Sequence, residues 1–121
     1  MKIQDFKELR IWQKGIELVM DTYTLTKHFP KEELYTLTSQ IRRAAISIPS
    51  NIAEGFKRYH YKEYKQFLYI ALGSIAEIET QLIISEKLNY ISKNDLDSLS
   101  EKIDHISRMI KVLLQKLELN K

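Results

Sequence analysis

The chain has 121 residues, a formal net charge of +3, 44% apolar residues and 29% charged residues. This composition is ordinary for a globular domain, and the length suits a single domain over residues 1–121. The absence of cysteine excludes disulfides and thiolate metal sites. The N-terminus lacks the apolar run of a signal peptide, and no stretch approaches the roughly 18 to 20 apolar residues of a membrane span. We therefore expect a cytoplasmic protein with no membrane partner.

The first predicted helix runs from Asp5 to Lys27 and carries apolar residues on two sides. Its expected core face is formed by Leu9, Trp12, Ile16, Val19 and Tyr23. A second set, Ile11, Leu18 and Leu25, recurs every seven residues on nearly the opposite side. This seam is either covered by another subunit, as an oligomer interface, or buried within the same chain.

The second predicted helix follows Pro30 and runs from about Lys31 to Phe56. Its apolar stripe consists of Leu34, Leu37, Ile41, Ala44, Ile48, Ile52 and Phe56. Pro49 lies inside this helix, where it removes a backbone donor at a cost of about 3 kcal/mol. Its presence predicts a kink that serves packing or a binding surface.

A polar stripe on the second helix has two interpretations. It contains Arg43, Ser47, Asn51 and Glu54, and Glu77 lies outside the main apolar arc of the third helix. These residues form either a surface for a ligand or a structural polar network. Charged groups near a bundle core are usually paired, which favours the network.

The third and fourth helices are predicted at about Tyr61–Leu88 and Lys93–Leu119, separated by a turn at Asn89–Ser92. Four long helices joined by short turns predict an all-α fold, an antiparallel up-down-up-down four-helix bundle whose second helix is kinked near Pro49.

Catalytic and metal-binding motifs are missing from the sequence. The three histidines, His28, His60 and His105, are isolated, and no Glu-x-x-His pair is present. The three glycines are too far apart to form a phosphate-binding loop. We expect no metal, no cofactor and no enzymatic activity.

The segment Lys57–Lys65, KRYHYKEYK, interleaves basic and aromatic residues. Cations can contact phosphates and aromatic rings can stack on exposed bases, so the segment suits nucleic acid. The candidate contacts are Arg42, Lys57, Arg58, Tyr59, Tyr61, Lys62 and Lys65. The alternative is a solvated turn whose tyrosines, Tyr64 included, pack on the end of the bundle.

Several motifs in the chain resemble those of the proteins encoded in 23S rRNA intervening sequences. The likeness spans about Phe6 to Leu88 and opens with Leu9-x-x-Trp12-Gln13-Lys14. It continues through Phe29-Pro30-x-x-Glu33-x-Tyr35-x-Leu37 and Gln40-x-Arg42-Arg43-Ala44. It is densest at Ser47-Ile48-Pro49-Ser50-Asn51-Ile52-Ala53-Glu54-Gly55 and closes with Phe67-x-x-x-Ala71-x-Gly73-Ser74-x-x-Glu77. Thr36 departs from the pattern, since many relatives carry glycine there.

The resemblance implies a bacterial cytoplasmic four-helix bundle that assembles as a homopentamer. A similar protein, the accessory variability determinant of diversity-generating retroelements, forms a basic barrel that binds nucleic acid and a reverse transcriptase. We therefore expect a homo-oligomer that binds nucleic acid, RNA rather than DNA. The alternative is a protein-interaction scaffold that docks a partner protein and has no direct nucleic-acid role.

Overall fold

Four helices make up most of the chain in the computed structural model, which describes residues 2–119; residues 1, 120 and 121 of the expected domain lie outside the described residues. The helices are α1 (Arg10–Thr26), α2 (Leu37–Phe56), α3 (Tyr61–Lys87) and α4 (Lys93–Leu119). Residues 2–119 contain no strand. The predicted all-α four-helix bundle is confirmed.

Each helix packs against two neighbours around a shared apolar core. α1 and α3 both contact α2 and α4, and neither diagonal pair of helices is in contact within the described residues. Asp21, late in α1, pairs with Lys102, early in α4, and Lys65, early in α3, pairs with Glu118, late in α4. These contacts join the end of α1 to the first half of α4 and the start of α3 to the end of α4, while the antiparallel order of all four helices stays a prediction.

Two of the predicted helices begin later than the sequence indicates. Asp5 and Glu8 form a capping box around a short 3-10 turn, and the extended backbone of Leu9 separates that turn from α1. A second 3-10 turn, Lys31–Glu33, precedes α2, and Leu34 is 45% exposed beside it. Leu34 therefore does not belong to the apolar stripe of α2, because the helix starts only at Leu37.

Both apolar sides of α1 contact the core of the same chain. Ile11 and Leu18 are buried in that core and Leu25 packs against it, which is the second of the two alternatives and not an oligomer seam. Leu9, Trp12 and Val19 of the expected core face also pack against the core. Ile16, expected in the core, is exposed, and its face is only partly covered.

Two threonines explain why periodicity misplaced the core face of α1. Thr22 and Thr26 are buried beside Leu18, and their hydroxyls donate to the carbonyls of Leu18 and Thr22 at 2.8 Å. Because the hydroxyls are satisfied within their own helix, these side chains pack like apolar ones. A search for apolar residues at helical spacing therefore misses these two threonines.

Pro49 packs directly against α1 at Gly15. A Cβ atom added to Gly15 would lie 3.1 Å from Cβ of Pro49. Pro49 is buried inside α2, which continues from Leu37 to Phe56. Pro49 therefore serves helix packing, while the kink there stays a prediction.

Gly55 allows a similarly close approach between α2 and α3. A Cβ atom at Gly55 would lie 2.9 Å from Cβ of Phe67 and 3.2 Å from the carbonyl oxygen of Tyr64. Since one of these neighbours is backbone, it cannot rotate away. The absence of a side chain at Gly55 sets how closely α3 approaches α2.

α3 is more apolar than expected from the sequence analysis, which found no stretch approaching the length of a membrane span. By length and composition it could span a membrane, with a mean hydropathy of 1.5 over its most apolar 18 residues. Core helices of globular proteins pass the same test, and α3 packs on both α2 and α4. Only 39% of that window is buried, however, so much of its apolar surface faces outward.

The contact at Gly55 predicts a clear cost for adding a methyl group. We expect Gly55→Ala to lower the free energy of unfolding by about 1–3 kcal/mol, because overpacking outweighs the gain in helix propensity. Denaturant unfolding followed by circular dichroism measures the change. Ser50→Ala, at an exposed position of the same helix, is the control and should change stability by less than about 0.5 kcal/mol. Equal stability of Gly55→Ala and the parent chain would contradict the packing argument.

Candidate nucleic-acid interface

The connection between α2 and α3 lies at one end of the bundle and exposes two aromatic rings. Tyr59 is 94% exposed and Tyr61 is 47% exposed. The ring of Tyr59 lies edge-on to that of His60, with centroids 5.3 Å apart. The alternative expectation, that the tyrosines pack on the bundle end, is wrong for Tyr59. It holds for Tyr64, which is buried edge-on against Phe56.

Two lysines flank these rings, and the charge of one of them, Lys57, also acts on the carboxylate of Asp5. Lys57 and Lys62 are exposed and make no ion pair within residues 2–119. Lys57 lies over the ring of Phe6, with Nζ 5.8 Å from the centroid. We call Lys57, Tyr59, Tyr61 and Lys62 the tyrosine–lysine surface.

An open depression adjoins the tyrosine–lysine surface. Its volume is about 720 Å³, and Tyr59, His60, Tyr61, Lys62 and Lys65 line it. Among residues 2–119, no carboxylate lines the depression. Such a site can accept an extended, negatively charged ligand with planar groups.

Arg58 and Lys65, also predicted to contact nucleic acid, are already engaged by the protein. Arg58 donates to Glu54 at 2.9 Å, lies 3.9 Å from Glu63, and its guanidinium carbon sits 4.7 Å above the ring of Phe67. Lys65 donates to Glu118 at 2.7 Å and its side chain is only 15% exposed. Both cations hold helices at this end in place, so they offer less free charge than the sequence indicates.

Arg42 does not belong to the same surface. Its Nε donates to the hydroxyl of Thr26 at 2.8 Å, and its guanidinium carbon lies 4.5 Å from the ring centre of Tyr23. Fifteen residues of helix separate Arg42 from Lys57, about 22 Å at 1.5 Å per residue. The prediction that Arg42 lies near the basic segment is therefore wrong, because nearness along a helix was read as nearness in space.

The predicted structural polar network forms only in part. Asn51 Nδ2 donates to the carbonyl oxygen of Ser47 at 2.7 Å and to its hydroxyl at 2.8 Å. The hydroxyls of Ser47 and Ser74 share a hydrogen bond of 2.8 Å across α2 and α3. Sequence reasoning left Ser74 out of this network, although its place on the buried face of α3 could have indicated a partner.

The charged members of that predicted network lie elsewhere. Glu54 pairs with Arg58 on its own helix. Arg43 and Glu77 are exposed and make no ion pair in the described part of the chain. Their inclusion was wrong, because exposed charges need no protein partner.

Within residues 2–119 no three histidine or acidic side chains come together in a group that could hold a metal ion. The main perturbed group near the tyrosine–lysine surface is Tyr64. Burial raises the pKa of its phenol from 10.0 to about 12, since the ionised form loses hydration. Tyr64 is thus a packing residue between α2 and α3.

The architecture defines a four-helix bundle with an aromatic and basic surface at one end, and comparison with known proteins places it more narrowly. The family of the 23S rRNA-intervening sequence protein matches residues 7–112, so the chain belongs to that family. The expected resemblance is confirmed at the family level.

The fold is shared with a solved structure. A crystal structure of a protein of unknown function from the S23 ribosomal protein family of Bacteroides thetaiotaomicron VPI-5482 superimposes with a TM-score of 0.80. The two sequences are 22% identical, and the match covers 86% of this chain and 97% of the other. None of the curated proteins matches the chain closely enough to count as a relative. The likeness to the accessory variability determinant stays a prediction.

The buried phenol of Tyr64 predicts a loss of stability in alkali. Between pH 10 and about 12 the unfolded chain ionises this group while the folded chain keeps it neutral. The free energy of unfolding should therefore fall as the pH rises through this window. Denaturant unfolding at successive pH values measures the decline, and Tyr64→Phe should make it shallower. Identical slopes for Tyr64→Phe and the parent chain would contradict the assignment.

Proposed function

We propose that this protein is a non-enzymatic, homo-oligomeric bundle that binds RNA through the tyrosine–lysine surface. The observation that carries the proposal is the exposure of Tyr59 and Tyr61 beside Lys57 and Lys62. Neither lysine makes an ion pair among residues 2–119, although the charge of Lys57 also acts on the carboxylate of Asp5. Exposure of an aromatic ring to water is unfavourable, and an exposed ring makes no packing contact that stabilises the fold. Exposed rings next to free cations are therefore suited to a ligand with bases and phosphates.

The chemistry favours unpaired nucleotides over a regular duplex. The faces of bases in a duplex are covered by their neighbours, whereas single strands and loops present them for stacking on tyrosine. The lysines contact the backbone and carry no sequence preference. RNA is the first ligand to test because the family is named for an intervening sequence of 23S rRNA.

Assembly would strengthen a surface that is small in one chain. Two lysines and two tyrosines supply few contacts, so a single copy should bind weakly. Several copies in one assembly present the same surface repeatedly, and a long RNA that reaches two of them binds the second at a high effective concentration. The resemblance implies five copies, and we propose that such an assembly acts in the cytoplasm of a bacterium.

The proposal predicts a steep salt dependence and a specific set of sensitive residues. With a fluorescent single-stranded RNA of about 20 nucleotides, affinity should fall markedly between about 50 and 200 mM salt. Replacing Lys57 and Lys62 with alanine should weaken binding and lower the slope of log affinity against log salt by about 1 for each lysine. Tyr59→Ala should cost about 1–3 kcal/mol of binding free energy, while Tyr59→Phe keeps the ring and most of the affinity.

The matched controls are Lys27→Ala and Lys31→Ala, two exposed lysines near the end of α1 that is remote from this surface. They carry the same charge change and should leave the binding slope unaltered. Parallel titrations with duplex RNA and with DNA of the same sequence test the ligand class. An affinity that does not change with salt, or equal losses for all four lysines, would overturn the proposed surface.

A protein-interaction scaffold is the second candidate, and the exposed apolar surface of α3 favours it. In that case a tagged bundle should retain one defined protein partner after nuclease treatment. Ile70→Asp, which places a charge on that surface, should release the partner, while Lys62→Ala should not. Loss of every bound protein on nuclease treatment would instead leave RNA as the link.

A further inference from the structure

The start of α1 and the second half of α4 border an open groove of about 380 Å³. Its apolar lining consists of Leu9, Ile11, Met109, Val112 and Leu113, and its basic lining consists of Arg10, His105, Arg108 and Lys116. We call this the α1–α4 groove. Val112 is 51% exposed there, and Leu9, Met109 and Leu113 are only partly buried. The groove therefore presents apolar surface that no other part of residues 2–119 covers.

The cations of the α1–α4 groove are not balanced by acidic residues within it. Among the described residues, no aspartate or glutamate lines the groove. Arg10 and Arg108 make no ion pair in residues 2–119, although Asp104 lies one turn before Arg108 on α4. A guanidinium group is a planar set of N–H donors that matches a carboxylate. The groove therefore combines donors for an anionic group with an apolar surface.

α4 places the apolar lining between two cations. Arg108, Val112 and Lys116 recur every four residues, so they lie along one side of the helix. Arg108 and Lys116 are eight residues apart, which is about 12 Å at 1.5 Å per residue. Met109 and Leu113 lie beside this row, and a methionine side chain adapts to apolar groups of different shape. The arrangement suits an elongated apolar group that ends in an anion.

The same lining argues against other classes of ligand. Among the described residues it contains no serine, threonine, asparagine, glutamine, tyrosine or tryptophan. A sugar or a nucleobase would therefore find no neutral hydrogen-bonding side chain, and no ring for stacking except the imidazole of His105.

The size of the α1–α4 groove narrows the class further. Small-molecule sites have volumes of about 300–1,000 Å³, and this groove is near the lower end. That volume suits one aliphatic chain rather than the two chains of a phospholipid. α1 contributes only three successive residues to the lining, so a partner helix would gain little contact along α1.

We propose that the α1–α4 groove binds a fatty acid. The aliphatic chain lies on Met109, Val112 and Leu113, and the carboxylate is held by Arg10 and Arg108. Burial of the chain supplies most of the affinity, and the arginines select an anionic head group over a cationic one. The site shares no lining residue with the depression at the tyrosine–lysine surface.

Calorimetric titration of the full chain with decanoate measures the proposed binding. We expect one decanoate per chain, at concentrations at which the fatty acid stays dispersed as single molecules. Each methylene group removed from the ligand should weaken binding by about two- to fourfold, because less apolar area is buried. Acetate has the head group without the chain and should not bind measurably. Decylammonium has the chain with the opposite charge and should bind at least about tenfold more weakly. Absence of decanoate binding, or equal binding of decanoate and decylammonium, would overturn the proposal.

Two aspartate substitutions locate the chain of the ligand. Val112→Asp places a charge in the groove and Ile70→Asp places one on α3, and the two parent side chains are equally exposed, at 51%. Val112→Asp should lower the affinity for decanoate by about tenfold or more, because the aspartate repels the carboxylate and disfavours burial of the chain. Ile70→Asp is the matched control and should bind like the parent. The reverse pattern would move the site to α3 and overturn the proposal.

Arg10→Ala and Arg108→Ala test the position of the head group. Each should weaken decanoate binding by about two- to fivefold, as for an exposed ion pair, and reduce the preference over decylammonium. Lys111→Ala removes an exposed cation of α4 that does not line the groove, so it should leave the affinity unchanged. Equal losses for Arg108→Ala and Lys111→Ala would indicate only the net charge and overturn the assigned site.

Methionine signals provide a test that needs no substitution in the groove. In a protein with isotope-labelled methionine methyl groups, decanoate should shift the nuclear magnetic resonance signal of Met109 and leave that of Met20 in place. Met20 is 62% exposed on α1, nine residues or about 14 Å along the helix from Ile11. Met20→Leu and Met109→Leu assign the signals. A Met109 signal that responds to dilution of the protein or to an acidic amphipathic peptide, but not to decanoate, would assign the groove to a second copy or a partner protein and overturn the proposal.

RNA binding is measured on the same samples, so the two sites are separable. Lys57 and Lys62 do not line the groove, and their replacement with alanine should leave decanoate binding unchanged. Single-stranded RNA should not displace decanoate, whether or not the RNA itself binds. Displacement of decanoate by RNA would make the groove part of a nucleic-acid surface and overturn the fatty-acid site.

Discussion

The close approach of α2 to both of its neighbours is the constraint on which the rest of the structure depends. Gly15 admits Pro49 on one side, and Gly55 admits Phe67 and the backbone of Tyr64 on the other. With these distances set, Ile41, Ile48 and Ile52 reach full burial between the helices. The same contacts place the end of α2 beside the start of α3. The exposed connection between them is therefore held on a rigid support.

The basic residues at that end of the bundle have two different roles. Arg58 and Lys65 neutralise glutamates and fix the helices relative to one another. Lys57 and Lys62 make no ion pair among the described residues, although the charge of Lys57 also acts on Asp5. The basic segment is therefore not a continuous positive patch. It presents two lysines that make no ion pair, with exposed rings between them. Because only two lysines are available, we expect one copy to bind weakly and an assembly to bind more strongly.

The bundle also leaves apolar surface of α3 uncovered, which is relevant to the expected assembly. α3 is apolar around most of its circumference, but only α2 and α4 are available to cover it. A helix of this composition inside a larger protein would be fully enclosed. Here the outer side of α3 stays exposed at Tyr69, Ile70, Ile83 and Ile84, on the same helix that begins at the tyrosine–lysine surface.

The sequence by itself determined the four helices, their order and the buried stripe of α2 apart from Leu34, because apolar periodicity and sparse breakers directly reflect helix burial. It also indicated the exposed aromatic and basic connection, since KRYHYKEYK offers little to a core. Only the tertiary structure decided how deeply each side of α1 is buried, because threonines that bond to their own helix look polar in sequence. It likewise separated Arg42 from Lys57 and assigned Arg58 and Lys65 to glutamates. Partners across helices depend on distances that residue spacing along one chain does not contain.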